Sequence, residues 1–271
     1  MESLLSTPSH SAPADSSVDV EQWPWAVKIY TLDRFAVVLA NGSTGSCSGK
    51  TQKRPLELLK VLIAHGGRGV GIASVIDLLW AESDGDNGEA SLHTTLHRLR
   101  KLLDCKDAVL LRDGRLSLDA RYVWLDIWAF ERLAEKLDMA LHEAHENEIT
   151  YYARQLCQLY REPFLKGLCT PWIEARRERL HSHFVRTLRV TGNYRERQGQ
   201  WLEAIDLYQR GIELDSTSEE ICRRLMTAYR QLGCYGEALA VYRRCSTALQ
   251  TTFGINPSPE TEAVRESLRM V

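Results

Sequence analysis

Residues 90–103, ASLHTTLHRLRKLL, carry the side chains in this chain best suited to contact with an outside partner. Leu92, Leu96, Leu99 and Leu103 recur at spacings of four, three and four, which places them on one helical stripe. Thr94, His97 and Lys101 then point away from the stripe, with His93 and Arg98 on its flanks. No acid interrupts the run. An ordinary solvated helix mixes charge signs and gains from i,i+4 Glu–Lys pairs. This one presents small polar groups, imidazoles and cations, a set that suits phosphates and base edges. A basic amphipathic surface helix without a ligand shows the same pattern. The surrounding elements have to decide between the two.

Other motifs fall short of the chemistry they suggest. The loop GSCSGKT, residues 45–51, resembles a phosphate loop, but a Walker A motif needs G-x-x-x-x-G-K-[ST]. The first glycine would have to stand at position 44, which is threonine, and the next helix starts near Pro55, too late to aim its dipole there. ATP is therefore not expected. Lys50, Lys53 and Arg54 read as phosphate-backbone contacts or as plainly solvated cations. His93 and His97 stand at i,i+4, half of a zinc site, but no third ligand lies at matching spacing. No metal and no cofactor is expected. No Ser-His-Asp set or carboxylate pair stands out, so the sequence does not read as an enzyme.

The bulk numbers set the frame. The 271 residues allow one large or two ordinary domains, 44% of them hydrophobic and 26% charged. No apolar run approaches the ~20 residues of a membrane helix, and a cytoplasmic protein with no membrane partner is expected. Seven scattered cysteines without a C-x-x-C read as free thiols. Residues 1–23 hold four acids and no Lys or Arg, and read as a disordered tail or linker. Residues 24–124 carry 14 Lys and Arg against 11 Asp and Glu, a surplus of three; residues 125–271 carry 20 against 21. The first globular part is mildly basic, compatible with DNA binding.

The order of elements narrows the choice. WAVKIYTLDRFAVVLANGS reads as two short strands of a small antiparallel sheet. KRPLELLKVLIAHGG reads as a helix entered by Pro55 and stopped by Gly66-Gly67. GIASVIDLLWAES makes a second helix, ended by a loop at 83–88, and residues 90–103 make the third. AVLLRDGRLSL then forms a hairpin around Asp113-Gly114. From Trp124 onward the apolar periodicity is helical. GQWLEAIDLYQRGIELD from Gly199 aligns with GCYGEALAVYRRCSTAL from Gly233. Glu203/Glu237, Ala204/Ala238, Tyr208/Tyr242 and Arg210/Arg244 match at an offset of 34, the tetratricopeptide period.

Strands, three helices and a hairpin are the order of a winged helix-turn-helix, and residues 27–119 resemble an OmpR-type DNA-binding domain. PWIEARRERL, RRLMTAYRQLGCYGEALAVYRRC and FGINPSPE resemble the bacterial transcriptional activator domain. The combination, over roughly residues 27–269, is similar to the antibiotic regulatory proteins of actinomycetes. The expected fold is mainly α: a winged helix over 24–123, then an all-α tetratricopeptide-like domain over 124–271. Two departures stand out. The chain is slightly acidic, and the first repeat has Asp215-Ser216 where the usual proline follows its second helix.

The resemblance implies a sequence-specific activator that binds tandem half-sites on double-stranded DNA. Residues 90–103 become the recognition helix and residues 112–118 the wing. The expected DNA-binding set is Lys53, Arg54, His93, Thr94, His97, Arg98, Arg100, Lys101, Arg112 and Arg115. Within it Thr94, His97 and Arg98 would read bases, and Lys53, Arg54, Arg100 and Arg112 would hold phosphates. The helical domain would dimerise the protein on DNA or contact RNA polymerase. The alternative is a helical-repeat adaptor whose winged helix binds protein. A positive face joining residues 50–54, 94–101 and 112–115 favours the activator; mixed signs there favour the adaptor.

Overall fold

The computed structural model describes residues 25–44, 52–82 and 85–268. The acidic segment 1–23 and the loop 45–51, with Lys50, lie outside these residues. Strands β1 (Val27–Tyr30) and β2 (Ala36–Leu39) pair antiparallel, with Val27 opposite Leu39. Their alternation buries Val27 and Ile29 completely and leaves Lys28 and Tyr30 half-exposed, as a half-buried strand requires. There follow α1 (Lys53–Ala64), β3 (Val70–Gly71), α2 (Ile72–Leu79) and α3 (Gly85–Leu102). A 3₁₀ turn at Lys106–Ala108 leads to β4 (Val109–Arg112), β5 (Arg115–Leu118) and β6 (Val123–Leu125).

Both sheets are larger than the sequence suggests. β6 joins the first sheet parallel to β1, giving the order β2-β1-β6 instead of two antiparallel strands. The second sheet has the order β3-β5-β4, so the hairpin gains a third strand from the lead into α2. β3 and β6 have two and three residues, too short to show a period.

α3 also begins earlier than its leucine stripe indicates. The Asp-Gly-rich stretch supplies its first turn from Gly85 on. Gly88 is buried there, and a Cβ on it would fall 2.7 Å from Ile76 Cγ2. Glycine at this position lets α2 and α3 cross closely.

The helical part comprises α4 (Asp126–Glu143), α5 (Glu146–Leu159), α6 (Pro171–Arg197), α7 (Trp201–Leu214), α8 (Glu219–Gln231), α9 (Tyr235–Phe253) and α10 (Pro259–Ser267). None of the described helices is long and apolar enough to cross a membrane. The chain divides into two compact units. One runs up to Glu131 and includes Phe164–Glu178; the other comprises Arg132–Pro163 and Arg179–Val271. A boundary between 123 and 124 would cut through β6. The first unit continues past that point because Asp126 and Leu165 both bond to the turn after β1. Asp126 accepts from Thr31 N, from Thr31 Oγ1 at 2.6 Å and from Leu32 N at 2.7 Å, and Leu165 N donates to Thr31 O at 3.0 Å.

In the second unit the repeat works as its spacing implies. Ala204 and Ala238 are fully buried in one core with Tyr208, Ile221, Leu225 and Val241. Tyr208 lies against Gly192 of α6, where a Cβ would come within 2.4 Å of its ring. Asp215 sits directly after α7, in the turn that leads to α8. There its carboxylate accepts from Thr217 N at 2.9 Å and Thr217 Oγ1 at 2.6 Å. This Asx turn closes the link in which the usual proline is absent.

Candidate nucleic-acid interface

The first unit positions α3 by its apolar stripe. Leu92, Leu99 and Leu103 are fully buried, Leu96 nearly so, and α3 packs chiefly on α1, whose Leu58, Leu59 and Leu62 are also sealed from solvent. Four buried leucines are worth roughly 6–12 kcal/mol of transfer free energy, enough to hold one face of α3 inward. The opposite face follows by geometry. His93, Thr94, His97, Arg98 and Lys101 are all exposed.

The wing is built by the Asp113-Gly114 turn, whose two residues take φ of +49° and +68°, the pair of positive angles a type I′ hairpin needs. Arg112 and Arg115 consequently stand opposite each other across the hairpin. Gly114 O accepts from Ile72 N at 3.0 Å, which ties the turn to the start of α2. At the far end, buried Asp119 accepts from Arg121 N at 2.9 Å and Arg121 Nη2 at 2.6 Å. Hydrogen bonding from the Arg121 side chain holds the Asp119 carboxyl below its usual range, with the Arg112 charge acting in the same sense.

The ten residues expected at the interface separate into two groups. Three arginines brace the fold through backbone carbonyls. Arg54 donates to Leu79 O at 3.2 Å and also bonds Glu57 at 3.0 Å. Arg100 directs Nε and Nη2 at Val109 O, at 3.0 and 2.7 Å, and so ties α3 to β4. Arg115 Nη1 donates to Gly69 O at 2.9 Å. The others are less tied down. Lys53 is 4.0 Å from Glu57, and His93 is 3.7 Å from Glu89. Thr94 Oγ1 donates to Ala90 O at 3.0 Å, which leaves its oxygen free to accept. His97, Arg98 and Lys101 are exposed and have no hydrogen-bond or ion-pair partner among the described residues. The corner at 53–57 carries both signs, whereas the stretch 94–101 presents no acid.

The support beneath this surface was not legible in the sequence. Trp128 Nε1 donates to Gly66 O at 2.9 Å, its ring packs on Gly67, and the Arg68 guanidinium stands 5.0 Å above it. Gly67 has φ +72° and its Cβ would be 2.8 Å from Trp128 Cζ2, so only glycine fits there. Asp126 is wholly buried, and desolvation pushes its pKa up to about 6 against the hydrogen bonds from Thr31 and Leu32. A glycine pair followed by an arginine signals a turn. Nothing in it points to a tryptophan some 60 positions later.

Comparison with known proteins agrees with this architecture. The family model described as Bacterial transcriptional activator domain matches residues 125–269, and the chain belongs to that family. It is 24% identical over 227 residues to the regulatory protein AfsR of Streptomyces griseus, covering 84% of this chain and 23% of AfsR. It is 24% identical over 257 residues to the transcriptional regulator RedD of Streptomyces coelicolor, covering 90% of this chain and 71% of RedD. The chain thus spans less than a quarter of the length of AfsR. Among solved structures, Mycobacterium tuberculosis EmbR in complex with a low affinity phosphopeptide superposes with a TM-score of 0.67 at 22% identity. That match covers 90% of this chain and 65% of EmbR and establishes a shared fold.

Proposed function

We propose that this chain is a sequence-specific DNA-binding transcriptional regulator that acts as an activator. The observation that carries this reading is the exposed face of α3, where His97, Arg98 and Lys101 have no partner within the described protein. A helix of about 10–12 Å diameter fits the B-DNA major groove. In this reading Arg98, Thr94 and His97 meet base edges, while Lys101, Arg112, Lys53 and His93 lie toward phosphates. Arg54, Arg100 and Arg115 hold the frame through their bonds to backbone carbonyls. The helical unit joins two copies on tandem half-sites or contacts RNA polymerase.

Genome-wide mapping of bound sites, followed by gel shifts on the recovered sequence, tests the proposal. Binding to direct repeats spaced near one helical turn, about 10–11 bp, is expected. Failure to recover any enriched sequence, with equal weak binding to random duplexes, would leave a winged helix that serves protein contacts instead.

A further inference from the structure

The repeat unit contains a pair of nucleophilic groups with no part in the DNA-binding reading. Cys222 lies near the start of α8 and Cys245 in the second half of α9. Counted from Gly233 in the turn between these helices, Cys222 stands 11 residues before and Cys245 12 residues after, which puts them at the same height of the α8–α9 hairpin. Both thiols are 1% exposed and belong to one core otherwise made of Ala, Ile, Leu, Met, Val and Tyr. Neither is in a disulfide. Hydrogen bonding from the Cys222 thiol holds Cys245 below the usual thiol range, and the Arg223 charge acts in the same sense. The same contact, with burial, pushes Cys222 up.

A latch sits beside Cys222 on α8. Glu219, one turn before Cys222, accepts from Ser258 N at 2.8 Å, Ser258 Oγ at 2.7 Å and Thr261 Oγ1 at 2.5 Å. Arg223 donates to Thr261 Oγ1 at 3.0 Å. These bonds hold the start of α10 against α8, and local opening of this unit is the route by which an oxidant reaches its buried sulfurs.

We propose that Cys222 and Cys245 are a modification site, at which a peroxide closes an intrachain disulfide that pins α8 to α9. The Cys245 thiolate attacks one oxygen of hydrogen peroxide and the O–O bond breaks. The departing hydroxide takes up the proton released by Cys245 and leaves as water, with the sulfenic acid on Cys245. Cys222 sulfur then attacks Cys245 sulfur, the S–O bond breaks, and that oxygen leaves as a second water carrying the Cys222 proton. Two thiols are oxidised to one disulfide and one peroxide is reduced to two waters. The bond encloses the 22 residues between them and fixes the angle at which the two helices meet.

The test treats the full-length protein with hydrogen peroxide, blocks remaining thiols with iodoacetamide and maps tryptic peptides. Residues 211–223 and 245–265 are separate tryptic peptides and should be recovered joined, as the dominant disulfide, and separated again by dithiothreitol. Cys222→Ala should abolish the joined species and leave a sulfenic acid on Cys245 that dimedone traps. Recovery of both wild-type peptides fully alkylated after oxidation would overturn the proposal. So would residues 211–223 joined mainly to the peptide of Cys157, Cys169 or Cys234. Both readings come from the wild-type map and stand whether or not the variant folds.

Discussion

The two units use arginine in opposite ways. In the repeat unit most guanidinium groups are bonded to the protein itself. Arg189 bonds Glu220 at 3.0 Å, Arg224 bonds Glu196 at 3.3 Å, and Arg230 bonds Ser267 at 2.7 Å. Arg210 caps the end of α5 through Tyr160 O at 2.7 Å and Arg161 O at 2.9 Å, and the buried Arg195 joins Glu146, Gln200 and Thr150. In the winged unit three arginines brace carbonyls, yet α3 leaves Arg98 and Lys101 with no partner among the described residues. A cation already bonded inside the protein has to break those bonds before it can serve a ligand, at about 1.5–3 kcal/mol for each charged hydrogen bond. A free cation only releases counterions when it meets a phosphate. The contrast separates cations that build the molecule from those left for a partner.

The largest expected effect breaks the winged side of this comparison through its support. Trp128→Ala removes the ring under Gly67 and Arg68 and the donor to Gly66 O, and should cost about 3–5 kcal/mol in urea unfolding of the first unit. For the same reason a fragment of residues 25–124, lacking Asp126, Trp128 and Leu165, should not unfold cooperatively, while residues 25–178 should. A cooperative transition with undiminished DNA affinity in the shorter fragment would show that the support is dispensable.

The second effect is electrostatic, and the two units should respond to pH in opposite directions. The folded-state pKa of Asp126, about 6, lies above the ordinary 3.8, so the folded protein binds that proton more tightly than the unfolded chain. The linked stabilisation is complete below about pH 4 and is lost as pH rises to about 6, on the order of 3 kcal/mol. Asp215 has the reverse sign. Hydrogen bonding from His181 and Thr217 lowers it to about 2, so its contribution is present above about pH 4 and fades as pH falls toward 2. Urea unfolding of wild type and Asp126→Asn between pH 4 and 7 measures the first arm. Parallel curves over that range would rule out the buried proton.

These residues also show where the sequence is legible. A stripe of four leucines, the dipeptide Asp113-Gly114 and a 34-residue offset are local or periodic, and each reappears in the structure as a buried face, an I′ turn and a helix repeat. The parallel pairing of β1 with β6 links residues about 95 positions apart and leaves no period to read. The exposed and the bracing arginines look alike in the sequence. What distinguishes Arg100 from Arg98 is a carbonyl oxygen of Val109, and every residue has a carbonyl, so residue type cannot announce the acceptor.

A smaller effect probes the repeat side. Gly192→Ala would place a methyl group 2.4 Å from the Tyr208 ring, which is held by bonds to Glu196 at 2.7 Å and Asn193 at 3.3 Å. Overpacking should cost about 1–3 kcal/mol in the second unit and leave the winged unit at wild-type stability. Hydrogen exchange of the two units, compared with wild type, resolves this. Equal loss of protection in both would mean that their stabilities are coupled and that the contrast drawn above does not extend to folding.

The smallest structural change tests the comparison most directly, because it exchanges neighbours on one helix. Arg98→Ala should leave unfolding unchanged and cost about 1–3 kcal/mol on the cognate duplex, with little loss on a random one. Lys101→Glu should weaken both duplexes and reduce the salt slope of log K by roughly one unit, because one phosphate is no longer neutralised. Arg100→Ala removes both donors to Val109 O and frees β4 from α3. It should lower stability and affinity together while keeping the salt slope, because the wing is displaced and the phosphates stay neutralised. Titrations of the three variants over a range of salt concentrations separate these roles. A slope for Arg100→Ala that falls as far as that of Lys101→Glu would make Arg100 a phosphate ligand after all, and the division between bracing and free cations would fail at its central residue.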